Sequence, residues 1–336
     1  MTKIEWTDAT WTKELYNSVK IFIGSWVLIM FMLMFNTWNG DPTIYFVYAK
    51  NLLNGHGLVF NIGYPSASFS SPLWLLMVTS CGADPVIVKI LMLIIFTSGV
   101  MLITKSKGIV AGALTVYLSF IYCFTGYETS LIILGTGLLL NKHGWIGYCI
   151  LTLTRPEAII LFPLFEILFK VKWTAMIPSI VYYTAIIIYA GIPESFIARA
   201  GNAPYWVEMR YIIIALPFIL WLMEKLIQQN GWRQYVLVSL LVMGTFLKLP
   251  KINESFNSWT YRDIAPYVGK NDVLYTTEIQ IKYWLNDSAM VVSKDGLLKD
   301  YRQPTMYLRS IYDTLQSGIF IKKPNNHLMM GLYSLP

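Results

Sequence analysis

Charge is what this sequence has least of. Asp, Glu, Lys and Arg make up 13% of its 336 residues, against roughly 25% in an ordinary soluble domain. Hydrophobic residues make up 55%, and the mean hydropathy is +0.51. A soluble core of this size could not hide that much apolar surface, so a lipid bilayer is expected to solvate much of it. Histidine is scarce too: three residues argue against a His-based metal site. Cysteine is equally rare, and Cys81, Cys123 and Cys149 lie in or beside apolar stretches without metal-type spacing. They read as packing residues. No Gly-rich phosphate loop of the P-loop or dinucleotide kind is present, and no internal repeat stands out. The first 18 residues are polar and no small-residue cleavage site follows the first apolar run, so no cleavable signal peptide is expected. The net charge of +7 is not read as nucleic-acid binding. In a membrane protein, Lys and Arg collect in cytoplasmic loops and set orientation.

What is abundant is apolar sequence in runs. Nine are read as spans: Ile21–Phe35, Pro85–Thr104, Ile109–Phe124, Ser130–Asn141, Trp145–Thr154, Ala158–Phe169, Trp173–Ala190, Tyr211–Met223 and Tyr235–Leu249. With the N-terminus inside, the cytoplasmic loops are Lys105–Lys107, Lys142–His143, Lys170–Lys172 and Glu224–Arg233, all basic. The outside segments are Asn36–Asp84, Thr125–Thr129, Arg155–Glu157, Gly191–Arg210 and everything after Pro250. Pro72–Ser80 is apolar but short of the roughly 20 residues that a crossing needs. Counting it as a span would put the basic loops outside. It is expected to form a short helix near the outer surface, with Ser71 as N-cap and Pro72 at the first helical position. The fold class expected is therefore an all-α polytopic membrane protein. Residues 1–250 would form the transmembrane domain, including an extracytoplasmic loop at 36–84. Residues 251–336 would form a small α/β extracytoplasmic domain, with β-like runs at Val273–Thr276 and Met290–Ser293 and turn signals at Asn271-Asp272 and Lys294-Asp295-Gly296.

The outside face gathers the residues able to do chemistry. Asp41 follows the first apolar run, within Trp38-Asn39-Gly40-Asp41-Pro42. A carboxylate anchored there suits a general base, and equally a solvated loop acid or a helix N-cap. Pro42 is expected to hold Asp41 in extended backbone. Arg155 and Glu157 sit between two apolar runs, where ionisable groups normally pair or line a polar cavity. Arg155 suits a phosphate through its planar fork, and equally an internal Arg–Glu salt bridge. Glu128 is expected at the same depth, as a cavity or an interfacial acid. His56 lies between Gly55 and Gly57, which allow tight turns that project the imidazole. The segment Pro193–Arg210 carries Arg199, Tyr205, Trp206 and Arg210, suited to sugar rings and phosphates or to simple interfacial anchoring.

Six segments in order carry a resemblance: GDPTIYFVYAKNLLNGHGLVFN, SFSSPLW, GYETSL, LTRPEAIILFP, PESFIARAG and RYIIIALP. Together they resemble the GT-C superfamily of membrane glycosyltransferases, and within it the arabinofuranosyltransferases of the mycobacterial cell envelope. The resemblance covers about Trp38–Pro217, with a weaker echo in Asp263–Gly296. It implies a sugar donor on polyprenyl phosphate and a glycan or lipid-linked acceptor outside a bacterial cytoplasmic membrane. It also implies an aspartate base in the first extracytoplasmic loop, which Asp41 matches, and inversion at the anomeric carbon. Donor-phosphate contacts would come from Arg155, Arg199, Arg210 and His56. The pocket would be lined by Tyr48, Ser70, Ser71, Trp74, Tyr127, Glu128, Glu157, Tyr205 and Trp206. Relatives commonly show two adjacent acids where this chain has Gly40 and Asp41. No cofactor is expected, and a divalent metal finds no support in the sequence. The Lys- and Ile-rich composition departs from a high-GC source, so arabinose is the family's sugar rather than one read from these residues. Two alternatives stand beside this reading: a polytopic lipid or glycolipid flippase, and a catalytically inactive GT-C relative.

Overall fold

In the computed structural model of the chain, the described residues are 21, 23–35, 40–65, 69–190, 213–227, 238–244, 266, 273–276, 290–293, 306–310, 319–322 and 330–334. They are mostly helical. The helices are α1 Ile23–Leu33, α2 Gly40–Leu53, α3 Pro72–Ser80, α4 Pro85–Lys107, α5 Ile109–Phe124 and α6 Thr129–Leu140. Then come α7 Gly144–Thr154, α8 Glu157–Ile160, α9 Phe162–Phe169, α10 Ile177–Ala190, α11 Leu216–Ile227 and α12 at 238–244. Where they are described, the apolar runs are mostly helical. Two breaks have local causes. The run Ala158–Phe169 splits at Leu161, because Pro163 offers no N–H and clashes with the carbonyl four residues back. The run from Trp173 opens on a 3-10 turn, Trp173–Met176, before Pro178 enters the first turn of α10.

Length separates these helices. Helix α4 has 23 residues, about 34 Å, and is the one helix among the described residues long and apolar enough to cross a membrane by itself. Helices α5, α6 and α7 have 16, 12 and 11 residues. Among the described residues, the expected count of nine spans is thus not matched by nine helices of spanning length.

The segment 36–71, read as a polar loop without a crossing, contains more order than expected. It holds α2 and a small antiparallel hairpin, β1 Val59–Asn61 with β2 Tyr64–Pro65. The Asn51 amide ties the end of α2 to β1, donating to the Val59 and Phe60 carbonyls at 2.9 and 3.1 Å. Helix α3 covers the nine residues Pro72–Ser80, with Ser71 as its N-cap and Pro in its first turn.

From α4 to α10 the chain runs back and forth between two ends, with α8 and α9 sharing one pass. At one end, the Ser106 hydroxyl donates to the Leu140 carbonyl at 2.9 Å, and the Asn141 amide to the Leu102 carbonyl at 2.8 Å. The Trp145 indole N–H reaches the Thr174 hydroxyl at 3.1 Å. This end gathers the turns 105–108, 141–144 and 170–173. The opposite end gathers the turns around 125–129 and 155–157. There the buried Lys89 ammonium donates to the carbonyls of Phe124 and, at 3.4 Å, Met34. Phe31 and Phe96 both meet the Phe124 ring edge-on, at 5.6 and 5.3 Å, which locks α1, α4 and α5 together.

Glycines set the spacing of α4, α6 and α7. A Cβ built on Gly147 would lie 2.5 Å from the Gly135 carbonyl oxygen and 2.6 Å from the Leu139 nitrogen. One on Gly99 would lie 2.7 Å from the Ile133 carbonyl carbon. Such backbone contact needs small residues on the facing sides. The expected result is that Gly147→Ala lowers the thermal unfolding midpoint, because backbone cannot swing aside, at a cost of about 1–3 kcal/mol. Gly24→Ala should be neutral or stabilising, since nothing lies within 4 Å of its Cβ position. Equal midpoints for the two variants would refute the close-packing account.

Large apolar side chains are exposed along many helices, among them Ile29, Met32, Ile90, Ile94, Ile167 and Ile188. Exposed apolar side chains in such number are what a lipid-facing surface calls for. Near the C-terminus, β3 Val273–Thr276, β4 Met290–Ser293, β5 Met306–Ser310, β6 Ile319–Lys322 and β7 Met330–Ser334 form one mixed sheet of order β4-β3-β5-β7-β6. Strand β3 runs parallel to β4 and β5, and β7 antiparallel to β5 and β6. Two of these strands coincide with the β-like runs read from sequence, and three were not anticipated.

Candidate functional site

The end of the bundle away from the lysine-bearing turns carries a buried polar cluster. Its centre is an ion pair: Arg155 Nη2 lies 2.5 Å from Glu128 Oε1, with side-chain exposures of 5% and 3%. Glu128 stands at the start of α6 and Arg155 at the end of α7. The antiparallel packing of α6 and α7 brings them together across 27 residues of chain. Attraction at this depth is strong, but so is the cost of taking both charges from water.

Around the pair, tyrosine hydroxyls meet backbone groups. Tyr45, on α2, accepts hydrogen bonds from the amides of Ser70 and Ser71 at 3.4 and 3.2 Å. Tyr183, on α10, donates to the Ser70 carbonyl at 3.0 Å and lies 3.5 Å from the Thr152 carbonyl. Tyr183 also lies within electrostatic reach of Glu157, Tyr45, Tyr182 and Arg155. The Ser71 hydroxyl caps α3 by accepting from the Trp74 amide at 3.3 Å. The Ser179 hydroxyl donates to Thr152 Oγ at 2.6 Å, and Tyr148 to the Ala158 carbonyl, also at 2.6 Å. Thus α2, α3, α6, α7 and α10 converge on one polar locus. The indole nitrogen of Trp74 and the Ser130 hydroxyl are buried here with no hydrogen-bond partner among the described residues. Buried polar atoms of that kind are normally met by water, a ligand or another part of the chain.

Several residues expected to line a pocket fall in this cluster: Ser70, Ser71 and Glu128, and Trp74 is fully buried on α3. Glu157 is half-buried at the start of α8. Tyr48 is fully buried against the Phe60 and Phe69 rings, so its ring builds the wall of α2. Tyr127 is buried and meets the Tyr122 ring. His56 sits apart. The flanking Gly55 and Gly57 do take positive φ, 79° and 84°, but the imidazole is exposed and makes no side-chain hydrogen bond or ion pair among the described residues. Arg199, Tyr205, Trp206 and Arg210 lie outside the described residues.

Asp41 is described in its backbone, and that backbone is helical rather than extended. Helix α2 begins at Gly40, so Asp41 and Pro42 both fall in its first turn. Proline is tolerated there because those N–H groups have no partner within the helix. An acid there is favoured by the helix dipole.

No family model, curated protein or solved structure matches the chain. Among the described residues, no group of three or more His, Cys, Asp or Glu side chains could hold a metal ion. Tyr45 and Tyr183 were not singled out from sequence. Tyr183 sits within an apolar run and Tyr45 within the segment read as a loop, and only a hydroxyl needing a partner hints at a polar locus.

Proposed function

We propose that this chain is a polytopic membrane glycosyltransferase of the GT-C kind. It takes a sugar from a polyprenyl-phosphate donor and passes it to a hydroxyl of a glycan or lipid-linked acceptor on the extracytoplasmic face. The observation that carries the reading is the convergence of α2, which bears Asp41, with the Glu128–Arg155 pair at the end opposite the exposed lysines. That separation supports an orientation with the lysines in the cytoplasm and the polar locus outside, by the positive-inside rule. The exposed apolar side chains support immersion in lipid. The shorter helices would complete their crossings through the turns and undescribed segments that adjoin them, giving nine spans. The C-terminal sheet would belong to an α/β domain on the outer side.

In the reaction, Asp41 takes the proton from the acceptor hydroxyl as that oxygen bonds to the anomeric carbon. The bond from that carbon to the phosphate oxygen breaks on the opposite side, and polyprenyl phosphate leaves. Configuration inverts. Glu128 fixes the Arg155 guanidinium at the end of the bundle, where it stabilises the departing phosphate. Arg199 or Arg210 would add to that charge.

A second reading draws on the same ion pair: an inactive relative in which Glu128–Arg155 serves packing alone. Arg155→Lys separates them. It keeps the charge but loses the fork, so donor use should weaken in an enzyme.

The orientation is testable directly. In a background free of Cys81, Cys123 and Cys149, single-cysteine variants His143→Cys and Ser288→Cys are labelled on intact cells with an impermeant thiol reagent. Position 288 should label at once and position 143 only after permeabilisation. The reverse pattern would overturn the topology.

A further inference from the structure

The end of the bundle opposite Arg155 is built in a way that the proposed reaction does not use. Lys142 follows α6 and Lys170 follows α9, and both have left-handed backbone, with φ of 68° and 56°. That conformation disfavours any residue with a Cβ, and glycine or asparagine is the usual occupant just after a helix. The two turns are neighbours: the Trp145 indole donates to Thr174, and a Cβ on Gly144 would touch Val171 at 3.8 Å and the Phe169 carbonyl at 3.9 Å. Lys142, Lys170 and Lys172 are all exposed. Beside them Trp145 and Trp173 are 47% and 61% exposed. Of the described acids, Asp41, Asp84, Glu128 and Glu157 belong to the other end, Glu166 lies one turn before Lys170 on α9, and Glu224 lies on α11.

The helix dipole accounts for part of this, since cations are favoured after α6 and α9. It does not account for Lys172, the N-cap of the 3-10 turn that leads into α10, where a cation is disfavoured. Nor does it account for two exposed indoles, which prefer the headgroup level of a bilayer. We propose that Lys142, Lys170 and Lys172, flanked by Trp145 and Trp173, form a headgroup site for anionic phospholipid. The charges bind the phosphate and the indoles sit at the boundary between headgroup and acyl chain. This inference rests on the membrane reading above and is independent of the transfer reaction.

The test uses the full chain, first in membranes and then purified in neutral detergent. Thermal unfolding midpoints are recorded with added phosphatidylglycerol or phosphatidylcholine, and retained lipid is counted by native mass spectrometry. Phosphatidylglycerol should raise the midpoint and be retained, and phosphatidylcholine should do neither. The variant Lys142→Gln/Lys170→Gln/Lys172→Gln should lose about fivefold in anionic-lipid affinity per lysine, about a hundredfold in all. Lys142→Gly/Lys170→Gly should unfold at a higher midpoint without lipid, having shed the left-handed strain, yet respond less to phosphatidylglycerol. Equal responses of wild type and either variant, or equal effects of the two lipids, would overturn the site. Extraction of membranes with alkaline carbonate separates the two levels. Release of the wild-type chain would overturn the membrane reading and the site together. Retention without preference for phosphatidylglycerol would overturn the site alone.

Discussion

Replacing Asp41 by asparagine should lower sugar transfer by about two to four orders of magnitude while leaving donor binding in place. Asparagine matches aspartate in size and still accepts a hydrogen bond through its carbonyl, but it cannot take the acceptor's proton. Donor binding should survive because the phosphate is assigned to Arg155, on a different helix. The fold should survive as well. Asp41 lies in the first turn of α2, where losing a negative charge costs about 0.3–1 kcal/mol through the helix dipole. Its neighbours Pro42–Ala49 are buried and hold the helix by packing. The measurement is transfer rate and donor affinity for Asp41→Asn and wild type at matched folded concentration. Transfer within a few-fold of wild type would remove Asp41 from the chemistry and leave Glu157 or Glu128 as the candidate base.

Breaking the Glu128–Arg155 pair from one side should destabilise the protein by about 3–5 kcal/mol, because the remaining charge stays buried without its counter-ion. Both side chains are at least 95% buried, so water cannot replace the lost partner. Arg155→Met and Glu128→Leu should each lower the unfolding midpoint sharply. The double variant should recover much of that loss, since two apolar side chains of similar volume suit the site nearly as well as the ion pair does. Thermal unfolding of the four proteins gives the coupling energy as a double-mutant cycle. Two additive losses would mean that the pair contributes nothing as a pair. Activity adds a separate readout: a double variant that is stable but inactive would show that Arg155 is kept for the donor rather than for packing.

Helix positions were legible because apolar runs and their breakers are local. Ser71-Pro72 announced α3, down to its cap, because an N-cap hydroxyl and a first-turn proline act within one turn. Helix α2 was hidden by the same kind of local rule. Asp-Pro reads as extended backbone, yet a proline in the first turn costs nothing when its N–H would be unpaired anyway. The strands β5, β6 and β7 are four or five residues each, and their pairing is non-local. The ion pair was half legible. Sequence placed Glu128 and Arg155 at one depth, but their contact depends on how closely α6 meets α7. That distance is set by Gly135 and Gly147, whose spacing says nothing until the two helices are seen to touch. Tyr45 and Tyr183 were missed because their hydroxyls bond backbone just before α3 and, for Tyr183, in α7, partners that no periodicity predicts.

The most direct test of the central claim is a transfer assay. Purified full-length protein, in lipid, is offered a panel of polyprenyl-phosphate sugars together with extracted cell-envelope acceptors, and products are read by mass spectrometry. The account predicts that one donor is consumed, that free polyprenyl phosphate appears, and that the acceptor gains one sugar with inverted anomeric configuration, none of which occurs with Asp41→Asn. If the folded, lipid-embedded protein consumes no donor in the panel, or if it moves donor across the bilayer without cleaving it, the glycosyltransferase account is wrong.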